Sequence, residues 1–127
     1  MAKKGVLIVG EDPALIDFGA PDAPMNIDAA KIMAGLNDSV ARLQAAGHEA
    51  ELLLTRDAAS VEAQVSRALQ GRNYDVIVIG AGLRTLPAMA DQFEQLMNVL
   101  RDKAPRAKLA FNSRPDDSDA AAQRWLA

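Results

Sequence analysis

The 127-residue sequence contains no cysteine, which excludes disulfides, thiolate metal sites and a cysteine nucleophile. It has no stripe of basic residues with interleaved aromatics, and its formal net charge is −3, so we do not expect nucleic acid as a partner. No apolar run approaches the ~18 residues that a membrane span requires, so no membrane association is expected. The opening MAKKGVLIVGED ends its apolar run too early for a secretory signal. We therefore expect a soluble, cytoplasmic protein.

Half of the residues are hydrophobic, and the length suits a single domain with a real core over residues 1–127. Four short Val/Ile/Leu runs alternate with segments of helical periodicity, at residues 5–10, 49–54, 75–80 and 107–112. This alternation predicts a three-layer αβα fold, with helices on both faces of a parallel sheet. Because crossovers are right-handed, the expected strand order is 2-1-3-4, that of a flavodoxin-like sheet lacking its fifth strand.

The helix after the first strand has recognisable signals at both ends. Asp28 is predicted to cap its start, and Gly47 lies where a left-handed residue ends a helix. Ile27 and Ile32 are expected to pack together across the cap as a hydrophobic staple. A third helix is predicted to begin near Pro87.

The last helix is predicted to begin near Ser118 and to carry Trp125, which we expect to pack on the sheet. Helices 1 and 4 are expected on one face of the sheet, and helices 2 and 3 on the other.

Residues 76–87 read VIVIGAGLRTLP and resemble the start of a nucleotide site. The dinucleotide pattern G-x-G-x-x-G fails here, because Thr85 replaces the third glycine and the stretch follows the third strand, not the first. The sequence therefore identifies no cofactor. Gly80 and Gly82 permit a tight turn, and helix amides together with Arg84 favour an anion. The alternative is a compact turn whose arginine pairs with an acidic neighbour.

The connection at residues 11–27, EDPALIDFGAPDAPMNI, is longer than a structureless loop in a compact domain normally is. Its carboxylates are Glu11, Asp12, Asp17 and Asp22, and its apolar residues are Leu15, Ile16, Phe18 and Met25. We expect this segment, the lid, to fold over the switch point between strands 1 and 3. Its carboxylates would then face Arg84 and Arg114. Ion pairing within the protein is the alternative to a ligand site.

Carboxylates after strand 1 are also where response-regulator receiver domains hold magnesium. A receiver needs an aspartate at the end of strand 3, where this sequence has Gly80, and a lysine on a fifth strand. Phosphorelay is therefore excluded, and no metal site is predicted. His48 lies at the amino end of strand 2, so a Ser-His-Asp arrangement cannot be assembled. Bases at the switch point would be carboxylates, and the sequence leaves catalysis open.

Strands 1, 3 and 4 are neighbours in the expected order, so their carboxyl ends form one predicted pocket, roofed by residues 12–22. The predicted ligand-binding residues are Gly80, Gly82, Arg84, Thr85, Asn112, Ser113, Arg114, Asp12 and Asp17. Arg84 is expected to be the main anchor of an anion.

Three segments, LIDFGAPDAP, YDVIVIGAGLRTLP and FEQLMNVLRDKAPRAKLAFNSRPDD, resemble a group of small stand-alone, uncharacterised α/β proteins of bacteria and fungi. The resemblance spans nearly the whole chain. It implies a flavodoxin-like or Rossmann-like single domain and carries no catalytic residues.

Two functions remain open from the sequence. The first is a domain that binds an anionic small molecule, a phosphate-containing or carboxylate metabolite, at the switch point. The second is a non-catalytic oligomerising or regulatory protein. Because strand 4 leaves a free sheet edge, we expect a homodimer or a larger homo-oligomer.

Overall fold

The structure is a computed structural model that describes residues 3–16, 18–19 and 28–126. Its sheet has four strands, β1 (Gly5–Glu11), β2 (Glu49–Thr55), β3 (Val76–Ile79) and β4 (Lys108–Phe111). They pair in parallel in the order β2-β1-β3-β4. The predicted order is therefore confirmed, and β1 and β3 are the central strands. Every residue of β3 is buried, which explains its continuous run of β-branched residues.

Five α-helices flank the sheet in the described residues: α1 (Ala29–Ala45), α2 (Val61–Leu69), α3 (Ala81–Thr85), α4 (Ala90–Lys103) and α5 (Ser118–Gln123). Short 3₁₀ turns lie at Pro13–Leu15, Ala58–Ser60, Pro87–Met89 and Pro115–Asp117. The sequence pattern predicted four of these helices and missed α3, whose five residues are too few to show a helical period.

Alternate residues of the central strands divide the core into two layers. Val6 and Ile8 of β1 pack towards α1 and α5, whereas Leu7 and Val9 pack towards α2 and α4. The predicted distribution of helices between the two faces is thus confirmed. Helix α3 lies at the carboxyl end of β3, beside the switch point.

The predicted signals at the ends of α1 are present. The Asp28 carboxylate accepts a hydrogen bond from the Lys31 amide at 2.9 Å, and Gly47 has a φ of +94°. The expected staple rests on Ile27, which lies outside the described residues.

Trp125 does not pack on the sheet as predicted, because its side chain is 49% exposed. The chain leaves α5 at Gln123, and the core positions of this segment are taken by Ala121, Ala122 and Leu126. Trp125 therefore lies on the surface, and the preceding Arg124 donates a hydrogen bond to the Phe111 carbonyl of β4. None of the described helices is long and apolar enough to cross a bilayer.

Candidate functional site

A cavity of about 760 Å³ opens at the carboxyl ends of β1, β3 and β4. Its lining comes from Gly10 and Glu11, from Ile16, from one side of α1, from the start of α3 and from residues 112–116. The β1/β3 boundary is where the chain direction of the sheet reverses, and open α/β sheets bind ligands at this point. The cavity therefore lies where the sequence placed a pocket.

Asn112 joins the segments on the β4 side of the cavity. Its buried side chain accepts a hydrogen bond from the Ala81 amide at 2.8 Å and donates one to the Ser118 hydroxyl at 2.9 Å. The Ser118 hydroxyl in turn donates to the Pro115 carbonyl at 2.9 Å. Asn112 thus fixes the start of α3 against the start of α5, and its amide group is occupied by the protein itself.

Gly80 and Gly82 line the cavity, but they do not form the predicted tight turn. Gly80 has a φ of −66° and a ψ of 147°, and it leads directly into α3. A Cβ at Gly80 would lie 3.2 Å from the Val9 carbonyl, so glycine is needed there for close approach to β1. Thr85 also lines the cavity, and its hydroxyl donates to the Ala81 carbonyl at 2.8 Å.

Arg84 is not among the residues that line the cavity. Its guanidinium donates to the carbonyls of Ile79 (at 3.3 Å) and Asn112, and it lies 4.9 Å from the centre of the Phe111 ring. Burial lowers the pKa of Arg84, and the nearby Asp117 carboxylate partly offsets this. In the described residues Arg84 ties the end of β3 to the end of β4, and no lid carboxylate pairs with it.

Asp12, one of the two lid carboxylates predicted to bind a ligand, does not line the cavity. Asp12 accepts a hydrogen bond from the Ala14 amide at 3.0 Å and so caps the 3₁₀ turn at Pro13–Leu15. Asp17 lies outside the described residues. The lid does pack partly as expected, because Ile16 and Phe18 contact the core on the α1 side.

Ser113 and Arg114 line the cavity as predicted. Both of their amides donate to the Asp117 carboxylate at 3.0 Å, which fixes the backbone of this turn. The Arg114 guanidinium is paired with Asp116 at 3.0 Å rather than with the lid. Its side chain is 72% exposed, so the pair is weak and the guanidinium can be redirected.

Helix α1 contributes two charged residues to the cavity that the sequence interpretation missed, Lys31 and Asp38. They are seven residues apart and therefore share one side of the helix. Lys31 makes no ion pair with any described residue. One signal was available: Lys31 is in the first turn, where the helix dipole disfavours a cation. A residue placed against that preference indicates a role other than helix stability.

Glu11 was predicted as one of the lid carboxylates facing Arg84 and Arg114, or as a base, and the structure gives it a specific environment. It is the last residue of β1 and lines the cavity, and its Oε2 atom is buried with no hydrogen-bond partner among the described residues. Burial raises the pKa of Glu11, and the charge of Asp12 adds to the increase. The neutral form of this carboxyl is therefore favoured more than that of a solvated one.

The described residues contain no group of three or more His, Cys, Asp or Glu side chains that could hold a metal ion. His48 precedes β2 at the amino end of the sheet, opposite the cavity. The polar side-chain groups that line the cavity are carboxyl, ammonium, guanidinium, hydroxyl and amide groups.

No family model matches this chain, and no curated protein matches it. Among solved structures, the chain is similar to a crystal structure of a candidate lipoprotein (fragment) from Peptoclostridium difficile 630. The two share 15% sequence identity with a TM-score of 0.47, and the match covers 95% of this chain and 93% of the other.

Proposed function

We propose that this protein binds a small organic anion in the cavity at the carboxyl ends of β1, β3 and β4. The observation that carries the proposal is Lys31, a cation on the cavity wall that makes no ion pair with the described residues. The volume of about 760 Å³ falls within the range typical of small-molecule sites, about 300–1,000 Å³.

Two further features support a ligand with both an anionic and an apolar part. Arg114 also lines the cavity, and among the described residues its guanidinium pairs only with the exposed Asp116 carboxylate, so an anion can compete for it. Apolar side chains form other parts of the lining: Ile16, Ile32, Leu36 and Leu86. A phosphate or carboxylate would contact the cationic side, and a carbon framework would cover the apolar side. We also propose that the protein acts in the cytoplasm, as expected from its sequence.

Lys31→Ala tests the proposal in calorimetric titrations with sulfate, benzoate and adenosine monophosphate. Losing a charge-assisted contact near the surface should weaken binding by about five- to tenfold, or roughly 1–1.4 kcal/mol. The same change removes a cation from the first turn of α1 and should leave stability unchanged or slightly higher. Unfolding therefore cannot explain a loss of binding.

Lys103→Ala is the matched control, because Lys103 ends α4 on the other face of the sheet and does not line the cavity. This variant should bind all three anions as the wild type does. If the wild type binds none of them, or if Lys31→Ala binds as tightly as Lys103→Ala, the proposed anion site is wrong.

The edge of β4 supports a second candidate function, self-association. Lys108 donates its amide to Asp75 next to β3, so the main-chain groups of Leu109 and Phe111 point away from the sheet. Leu109 and Phe111 on this edge are 38% and 44% exposed. The opposite edge, β2, instead carries exposed Glu49 and Glu51, which discourage strand pairing.

We infer that the partner is a second copy of the chain, paired antiparallel through β4 about a two-fold axis at Ala110. In this arrangement Leu109 of one copy lies opposite Phe111 of the other, so the exposed apolar side chains cover each other. Arg124 now donates to the Phe111 carbonyl at 3.0 Å, and pairing would exchange that contact for a main-chain hydrogen bond.

Light scattering over micromolar concentrations measures this association. The wild type should show about twice the 13.5 kDa chain mass, and Leu109→Lys should show the chain mass. Leu15→Lys is the control, because Leu15 is 53% exposed and lies in the 3₁₀ turn at Pro13–Leu15, which packs beside α1. A wild-type mass of 13.5 kDa at every concentration would exclude the dimer.

A further inference from the structure

Glu11 is difficult to reconcile with an anion site if its carboxyl is ionised. The side chain lines the cavity, and its Oε2 atom is buried, with no hydrogen-bond donor in the part of the chain that the structure describes. A buried carboxylate oxygen without a hydrogen bond is costly, and a second anion nearby would add repulsion. A neutral carboxyl avoids both problems, because it carries one O–H donor as well as acceptor oxygens.

The other charged side chains on the cavity wall also favour a neutral Glu11 carboxyl. Lys31 and Arg114 are cationic, whereas Asp38 and Asp116 are acidic, so these four balance each other. An ionised Glu11 leaves the lining with an excess negative charge, and a protonated Glu11 leaves it neutral. Asp12 is adjacent in the chain and adds to the negative potential at Glu11, while α3 contributes the uncharged Thr85.

We propose that the cavity takes up one proton with its anion, and that the Glu11 carboxyl holds this proton and donates it to the bound anion as a hydrogen bond. The inference rests on the proposed anion site and specifies how that site accepts negative charge. Burial also raises the pKa of Glu11, in the direction that proton uptake requires. No bond of the ligand is broken, so the step is a binding equilibrium.

The test is calorimetric titration of the full chain with sulfate and benzoate between pH 5.5 and 8.5. Neither probe changes its own protonation in that window. Each titration is run in two buffers of different ionisation enthalpy, which measures the protons taken up. For the wild type we expect uptake approaching one proton per anion, and a dissociation constant that rises by up to about tenfold per pH unit once free Glu11 is ionised.

Glu11→Gln imitates the neutral carboxyl. It should bind both probes with no dependence on pH in this range, and more tightly than the wild type at pH 8. His48→Gln is the control, because His48 is the only histidine and lies at the opposite end of the sheet. It should keep the proton uptake of the wild type.

Three results would overturn the inference. The first is a wild-type binding enthalpy that is the same in both buffers, which would mean that no proton is taken up. This result needs no variant. The second is an equal, pH-independent affinity of wild type and Glu11→Gln. The third is loss of binding in folded Glu11→Gln, which would mean that the carboxylate accepts a hydrogen bond from the ligand. If neither protein binds either probe at any pH, the anion site itself fails, and this is a different outcome.

Discussion

Substituting Gly35 by alanine tests how rigidly the wall of the cavity is built. Gly35 is buried in α1 against the 3₁₀ turn at Pro115–Asp117, and both line the cavity. A Cβ at Gly35 would lie 3.0 Å from both the Asp116 amide nitrogen and the Pro115 Cβ. Such contacts are tighter than ordinary packing, so the turn would have to move.

Three hydrogen bonds oppose that movement. The Pro115 carbonyl accepts from the hydroxyls of Ser39 and Ser118 at 3.1 and 2.9 Å, and the Asp116 carbonyl accepts from Arg42 at 2.6 Å. Alanine is favoured over glycine inside a helix by about 1 kcal/mol. Overpacking typically costs about 1–3 kcal/mol. Because the turn is tethered, we expect the cost of overpacking to exceed the gain in helix propensity, with a net loss of about 1 kcal/mol in the free energy of unfolding.

Urea denaturation followed by far-UV circular dichroism measures this difference. The control is Gly82→Ala in α3, where an added Cβ meets nothing within 4 Å and should give a gain of about 0.5–1 kcal/mol. If Gly35→Ala is as stable as the wild type or more stable, while Gly82→Ala shows its gain, the turn yields freely and the reasoning is wrong.

Other perturbations separate structural from binding roles. Arg84→Ala removes the donors of two carbonyls, so it should lower the free energy of unfolding by about 1–2 kcal/mol. It should leave the affinity for sulfate unchanged. Weaker sulfate binding at equal stability would contradict this structural role. The hydrogen bonds from Arg42 lower the pKa of Asp119, so the stability that this contact provides should be lost as the pH falls through that pKa. Asp119→Asn should therefore flatten the acid side of a pH–stability profile, and an unchanged profile would refute the assignment. The pH dependence expected from Glu11 has the opposite sign. Because its pKa is raised in the folded protein, the free energy of unfolding should decrease as the pH rises through that pKa, and Glu11→Gln should remove this decrease.

The strands could be predicted because each is a short local pattern of apolar residues. Their order could be predicted because crossover connections follow a general rule of handedness. A run such as Val76–Ile79 is hydrophobic on both faces only if helices cover both faces. The cap at Asp28 and the positive φ of Gly47 are equally local signals. These features do not depend on the identity of distant partners.

The site was less predictable, because side-chain direction depends on structure that leaves no pattern. Arg84 was expected in the cavity on the assumption that Gly80 and Gly82 make a turn. The short α3 instead directs its guanidinium to Phe111 and the strand ends. Lys31 and Glu11 reach the cavity from elements that the sequence pattern assigned only to the core and to the lid. Trp125 was misplaced because three smaller apolar neighbours already fill the core positions.

The exposed position of Trp125 determines what optical methods will report. It is the only tryptophan, it lies on the surface rather than in either core layer, and the residue before it, Arg124, contacts the Phe111 carbonyl of β4. Its fluorescence should already be that of a hydrated indole in the native state, so emission should change little on unfolding. Covering the edge of β4 should shift the emission to shorter wavelength while the secondary structure stays constant. Intrinsic fluorescence will therefore follow association of this protein, whereas circular dichroism will follow its folding.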